Sequence, residues 1–227
     1  MPNSIPSNSP RARTSAVRRS PSPWSGHVDE LIDRYPDLVD CESTISAAIE
    51  CLVDAFRGGG KVLLAGNGGS AADADHISAE MLKGFLKHRT LGEAEERSLG
   101  PELARNLQGG LPAIPLTGFN ALLTAYANDC DAAYGFAQLV WSLGGPGDVL
   151  LTLSTSGNSS NVLHAVATAK AKEMPVIALT GSGGSLRERA DIAICVPSSV
   201  THQIQEYHLP IYHCLCIAVE DVLFEGE

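Results

Sequence analysis

His76 and Glu80 stand four residues apart in the stretch Asp73-Ala74-Asp75-His76-Ile77-Ser78-Ala79-Glu80. On a helix that spacing sets an imidazole and a carboxylate one turn apart on the same face. Such a pair can take up and return protons near neutral pH. An ordinary solvated helix pair has the same spacing, and spacing alone favours that reading. A second set closes the chain, in Gln203-Ile204-Gln205-Glu206-Tyr207-His208-Leu209-Pro210-Ile211-Tyr212-His213. Here Gln205, His208 and His213 interrupt an otherwise apolar helical pattern. A polar side chain on a buried face needs a partner, so at least one of them is expected to face a site. His208 alone reads as a satisfied core histidine, and His202 as a surface or capping residue. Together His76, Glu80, Gln205 and His213 offer nitrogen and oxygen ligands to a divalent metal such as zinc. Gln205 and His213 lie about 12 Å apart along an ideal helix, so their side chains must lean toward each other. Pro210 between them lacks a backbone donor and bears on that reach.

Two short loops carry a different chemistry. Gly66-Asn67-Gly68-Gly69-Ser70 follows the apolar run Lys61-Val62-Leu63-Leu64-Ala65, and Ser154-Thr155-Ser156-Gly157-Asn158-Ser159 follows Asp148-Val149-Leu150-Leu151-Thr152-Leu153. Small residues let the backbone approach a ligand, and the N–H groups of a helix start favour an anion. Hydroxyls of Ser70, Ser154, Thr155, Ser156 and Ser159 add donors. Two such loops in one domain predict a phosphorylated ligand at the carboxyl ends of the strands; the plainer alternative is two ordinary turns between strand and helix. Gly66-x-Gly68-x-x-Ala71 also meets the looser dinucleotide fingerprint. That fingerprint wants an acid about 20 residues on, where this chain has Leu86-Lys87-His88-Arg89. No nucleotide cofactor is expected.

The elements that must position these residues follow from periodicity. Residues 27–56 read as helix broken near Pro36, with Gly58-Gly59-Gly60 ending it. Strand 61–66 and a helix from 70 to about 85 follow. Residues 86–110, with Glu93, Glu95, Glu96, Arg97, Glu102 and Arg105, read as a polar, partly helical insertion, a surface excursion or an oligomer contact. Then come a strand at 113–116, helices over 119–128 and 132–143, strand 148–153, helix 159–172, strands 175–180 and 191–196, and a helix over 203–224. This alternation predicts an α/β fold, a doubly wound and mainly parallel five-stranded sheet flanked by helices.

The chain has 227 residues, 44% of them hydrophobic, and a net charge of −10. Residues 1–26 hold Arg11, Arg13, Arg18 and Arg19 and no acid, so the remainder carries −14. They read as a disordered basic extension ahead of one domain over 27–227. An acidic body argues against a broad nucleic-acid surface. No run approaches the roughly 20 apolar residues of a membrane span. The tail has no apolar core of a secretory signal, and Arg18-Arg19 is followed by Ser-Pro-Ser-Pro. The six cysteines, Cys41, Cys51, Cys130, Cys195, Cys214 and Cys216, show no CxxC spacing. They read as reduced thiols of a cytoplasmic protein.

At these residues the chain resembles the sugar isomerase (SIS) domain family, and within it the phosphoheptose isomerases. The resemblance covers roughly residues 40–225. It rests on the two loops, Asp75-His76 with Glu80, Asn128-Asp129, and Gln205-Glu206 with His213, in that family order. It implies an aldose–ketose isomerisation between sedoheptulose 7-phosphate and a heptose 7-phosphate. It also implies a zinc ion and a homotetramer whose subunits share active sites. By position, Asn67, Gly68, Gly69, Asn128 and Asp129 would line the substrate site, and Ser154, Thr155, Ser156 and Ser159 would hold the phosphate. The equivalents of His76, Glu80, Gln205 and His213 surround the metal in similar enzymes, with Glu80 as base and His213 as acid. The insertion 86–110 is longer than the link such enzymes lead one to expect, and Pro210 is a second departure. A related scaffold that binds a replication initiator would lack the carboxylate and terminal histidine, which are both present here. A phosphosugar-sensing regulator would need a DNA-binding segment, and none is visible.

Overall fold

Five apolar runs form strands β1 (Val62–Gly66), β2 (Ala113–Pro115), β3 (Val149–Ser154), β4 (Val176–Thr180) and β5 (Ile192–Cys195) in the computed structural model, which describes residues 22–224. They make one sheet in the order β2-β1-β3-β4-β5. Every pairing is parallel, so the sheet expected to be mainly parallel is wholly so. A parallel sheet needs helical crossovers and buries both faces, which is why these strands read as nearly unbroken apolar runs.

The helices are α1 (Ser25–Arg34), α2 (Glu42–Arg57), α3 (Gly69–Leu82), α4 (Glu93–Leu99), α5 (Pro101–Asn106), α6 (Asn120–Asp129), α7 (Gly135–Leu143), α8 (Ser160–Ala171), α9 (Leu186–Arg189) and α10 (Thr201–Leu223). Alternate strand residues point to opposite faces. Val62 and Leu64 pack with apolar residues of α1, α2, α3 and α10, while Leu63 and Ala65 pack with those of α7 and α8. Pro36 pushes Tyr35 out of helical geometry, to φ −131° and ψ 73°. The first helical stretch is thus split by the short 3-10 segment Pro36–Cys41. Pro210, by contrast, sits inside α10 without ending it.

The expected disordered extension falls, over residues 1–21, outside the described residues. Its last part enters the fold: α1 begins at Ser25 and Trp24 packs against the core. In the insertion, α4 and α5 bury no residue, as a surface excursion should. Its first turn departs from that expectation. Arg89 is 2% exposed, and its Nε donates to Glu220 Oε1 at 2.8 Å. The other guanidinium nitrogens donate to the carbonyls of Met81 and Glu80. Glu220 also accepts from the backbone amides of Phe85, Leu86 and Lys87. The pair ties the end of α3 and the following loop to α10.

Candidate active site

The two small-residue loops meet because their strands are neighbours, with Gly66 of β1 opposite Leu153 of β3. Strand order reverses between β1 and β3, and open α/β sheets bind ligands outside the strand carboxyl ends at such a point. A cavity of about 300 Å³ lies there, lined by Asn67, Gly68, Gly69 and Ser70 from the first loop and Leu153, Ser154, Thr155 and Ser159 from the second. Thr201 and Gln205 of α10 close it. Neither α3 nor α8 is capped by the side chain of its N-cap residue, although the Ser70 and Ala71 amides bond the Asn67 and Gly68 carbonyls and the Val162 amide bonds Asn161 Oδ1. Gly68 adopts φ +56°, a left-handed conformation that glycine takes without strain. A Cβ on Gly69 would stand 2.5 Å from Gln205 Nε2, so the Gln205 amide can lie over the first loop only because position 69 has no side chain.

Side chains brace the loops. Ser154 Oγ and Ser159 Oγ lie 3.3 Å apart, and the Ser154 carbonyl accepts from the Thr180 hydroxyl at 2.7 Å. Asn67 and Asn161 exchange two amide hydrogen bonds of 2.9 and 2.8 Å between the loops. Sequence reasoning missed Asn161, Leu153 and Thr201; Asn161 stands just beyond the motif, where a helix start needs polar partners. Ser156 is not part of the lining, and its Oγ accepts from the Asn158 amide at 3.2 Å. Asn128 and Asp129 also stay apart, exposed at the end of α6 and bonded to each other at 2.8 Å.

The titratable residues gather where α3 packs on α10. His76 Nε2 lies 3.3 Å from Glu80 Oε1, and Glu80 Oε2 accepts from Lys83 Nζ at 2.9 Å. The rings of His76 and His213 meet edge-on with centroids 5.0 Å apart, and Phe85 leans on His213 at 5.5 Å. The Tyr212 hydroxyl reaches both His76 Nδ1 and Asp73 Oδ1. Burial first, then the Asp73 carboxylate, lifts the Tyr212 phenol above its ordinary range, so it stays a protonated donor. Burial, reinforced by His76, lowers the His213 imidazole from its ordinary value, with Glu80 pulling the other way. His213 Nε2 is buried and makes no hydrogen bond.

Of the four residues expected around a metal, His76, Glu80 and His213 form this group, while Gln205 borders the small-residue cavity. Among the described residues, no set of three or more His, Cys, Asp or Glu converges on a metal position. Two features nevertheless suit a metal ion. Two donors on a tetrahedral zinc ion stand about 3.4 Å apart, close to the 3.3 Å between His76 and Glu80. The His213 ring packs beside His76, and its buried Nε2 is without a hydrogen-bond partner and so open to ligation.

The SIS domain family model matches residues 28–109 and 102–181 of this chain. A phosphoheptose isomerase from Thiobacillus denitrificans is 48% identical over 207 residues, covering 89% of this chain and 95% of that protein. Another from Aromatoleum aromaticum is 43% identical over 187 residues, covering 81% and 85%. Among solved structures, phosphoheptose isomerase GmhA from Neisseria gonorrhoeae superposes with a TM-score of 0.68 at 35% identity, covering 87% of this chain and 96% of that one. A phosphoheptose isomerase from Francisella tularensis gives the same score and identity, covering 86% and 98%.

Proposed function

This chain belongs to the SIS domain family, in its phosphoheptose isomerase branch, and from that premise we propose how it interconverts sedoheptulose 7-phosphate and a D-glycero-heptose 7-phosphate. It is an aldose–ketose isomerase. One observation carries the site assignment: the helix pair α3 and α10 borders the small-residue cavity with Gly69 and Gln205 and, further along, joins Glu80, His76 and His213. The cavity takes the phosphate, on Ser70, Ser154, Thr155 and Ser159; Ser156, expected to join them, braces the loop from outside the lining. Asn67, Gly68, Gly69 and Gln205 border the sugar.

Glu80 takes a proton from C1 of the ketose, leaving an enediolate with its charge on O2. His213 protonates C2 and receives the O1 proton, which leaves the aldehyde at C1. Glu80 then gives its proton to O2. Atoms and protons balance, and both groups return to their starting forms. His213 makes this transfer as imidazolium and regains its proton from O1; its lowered proton affinity makes the protonated ring a stronger acid. His76, Glu80 and His213 would hold zinc. When bound, it would polarise the carbonyl and steady the enediolate.

Asn128 and Asp129 enter this reading through a neighbouring subunit. They are exposed, on a helix that buries no residue of its own chain, as residues offered to another copy's site would be in a homotetramer. A cytoplasmic location is supported by six cysteines that are all free. The acidic body supports a small anionic substrate bound by local donors over any nucleic acid.

The test is turnover of sedoheptulose 7-phosphate followed by NMR, with zinc content measured on the purified chain. Wild type should form aldoheptose 7-phosphate, while Glu80→Gln and His213→Ala should not. A zinc-replete wild type that binds the sugar phosphate without converting it would point to the scaffold reading.

A further inference from the structure

We infer that Asn161 is a positioning residue: its amide holds the Asn67 side chain at the cavity and fixes the span between the two loops that grip the phosphate. The two loops leave neighbouring strands, whose pairing stops at Gly66 and Leu153. Beyond that point, among the described residues, the hydrogen bonds that join the first loop to the second loop and the start of α8 are those between Asn67 and Asn161. Asn67 Nδ2 donates to Asn161 Oδ1 at 2.9 Å, and Asn161 Nδ2 donates to Asn67 Oδ1 at 2.8 Å. Two opposed bonds fix both the separation and the plane of the amides, which a single bond would leave free to turn.

The start of α8 sets the polarity of this pair. The Val162 amide can only donate, and it meets Asn161 Oδ1 at 2.9 Å. That contact identifies the Asn161 oxygen, leaves the nitrogen to face Asn67 Oδ1, and so orients the Asn67 amide. Asn67 Nδ2 keeps one N–H and Oδ1 one lone pair for a ligand, and Asn67 lines the cavity. Asn161 stands outside the lining, so it acts through Asn67. Asn67 is exposed and Asn161 half-buried, so water competes for both amides and the pair adds little to folding. Its effect falls on the ligand instead. A phosphate held between Ser70 on one loop and Ser154, Thr155 and Ser159 on the other needs both loops at one spacing. The inference rests on the reading of this cavity as the phosphate site.

The experiment is a double-mutant cycle on the full chain with Asn161→Ala, Asn67→Ala and the double variant. Calorimetry measures affinity for inorganic phosphate, and kinetics with sedoheptulose 7-phosphate give KM and turnover number. Asn161→Ala should weaken phosphate and raise KM by about tenfold, the scale of one or two neutral hydrogen bonds. Its turnover number should stay within about twofold, because the acid and base stand on other helices and uniform binding alone is lost. In the Asn67→Ala background, adding Asn161→Ala should change KM and phosphate affinity by less than about twofold. Equal losses in both backgrounds overturn the inference, since Asn161 would then serve only the start of α8. Unchanged KM and phosphate affinity in Asn161→Ala overturn it as well. Should Asn161→Ala lose the wild-type circular dichroism, Asn161→Ser takes its place in the cycle. Coupled losses of phosphate affinity in a chain that does not turn over sedoheptulose 7-phosphate would remove the functional reading and uphold this one.

Discussion

A carboxylate abstracts a carbon-bound proton only when it is held in reach and not buried in a permanent ion pair. Glu80, the proposed base, meets the second condition: its side chain is 14% exposed, and its Lys83 partner is itself half in solvent. Glu80→Gln and His213→Ala should each lower turnover number by at least about 100-fold, the usual scale for a lost acid or base. Binding of the sugar phosphate, read by calorimetry, should change little because its anchoring loops are untouched. Gly69→Ala should act in the opposite way. The new Cβ meets the end of the Gln205 side chain at 2.5 Å, so Gln205 must swing away, and KM should rise more than turnover number falls. His208 yields a prediction about stability. It is fully buried, and burial lowers its pKa to about 4, with a weak contact to the Thr180 backbone, short of a well-formed hydrogen bond, opposing only in part. The unfolded chain therefore binds a proton more readily between about pH 6.5 and 4. Its contribution of at most about 3 kcal/mol is complete above that window and is lost as pH falls through it. Urea midpoints measured down this window should decline, and His208→Leu should flatten the decline.

Between elements, the Arg89–Glu220 pair joins α3 and α10 beyond the site. Burial alone would raise the Glu220 pKa, but the amides of Phe85 and Leu86 and the Arg89 guanidinium outweigh it and hold the carboxyl below its ordinary range. Removing one partner leaves a buried charge unpaired, so Arg89→Ala or Glu220→Ala should cost about 3–5 kcal/mol in urea unfolding. Phe85, which packs on His213, hangs from the same carboxylate, so the surviving folded fraction should also turn over more slowly. The helix and strand boundaries that support this site were largely legible in the chain. All five strands lie where apolar runs preceded glycine or serine turns, and α3 and α10 start within two residues of their expected positions. The burial of Arg89 was not legible, because a basic residue at the edge of a polar segment reads as solvated until its distant acceptors are known.

At the level of the whole molecule, the expected shared sites make a direct prediction. If Asn128 and Asp129 serve a neighbouring subunit, a mixture of inactive Glu80→Gln and Asp129→Asn chains should regain part of the wild-type turnover after unfolding and refolding together. Separately refolded chains should not, and light scattering should give the mass of a tetramer.

The chain by itself determined the sheet, the two small-residue loops, and the identity of Glu80, His76 and His213 as candidates. Apolar alternation, glycine turns and helical spacing are local properties, readable within a few residues. Only the tertiary structure decided that Gln205 meets Gly69 while His213 meets His76, that Asn67 pairs with Asn161, and that Tyr212 bridges His76 and Asp73. Those choices join residues 94 to 139 positions apart. Which side chains meet over such distances depends on how α3 and α10 pack across the carboxyl edge of the sheet, a relation that no local spacing encodes.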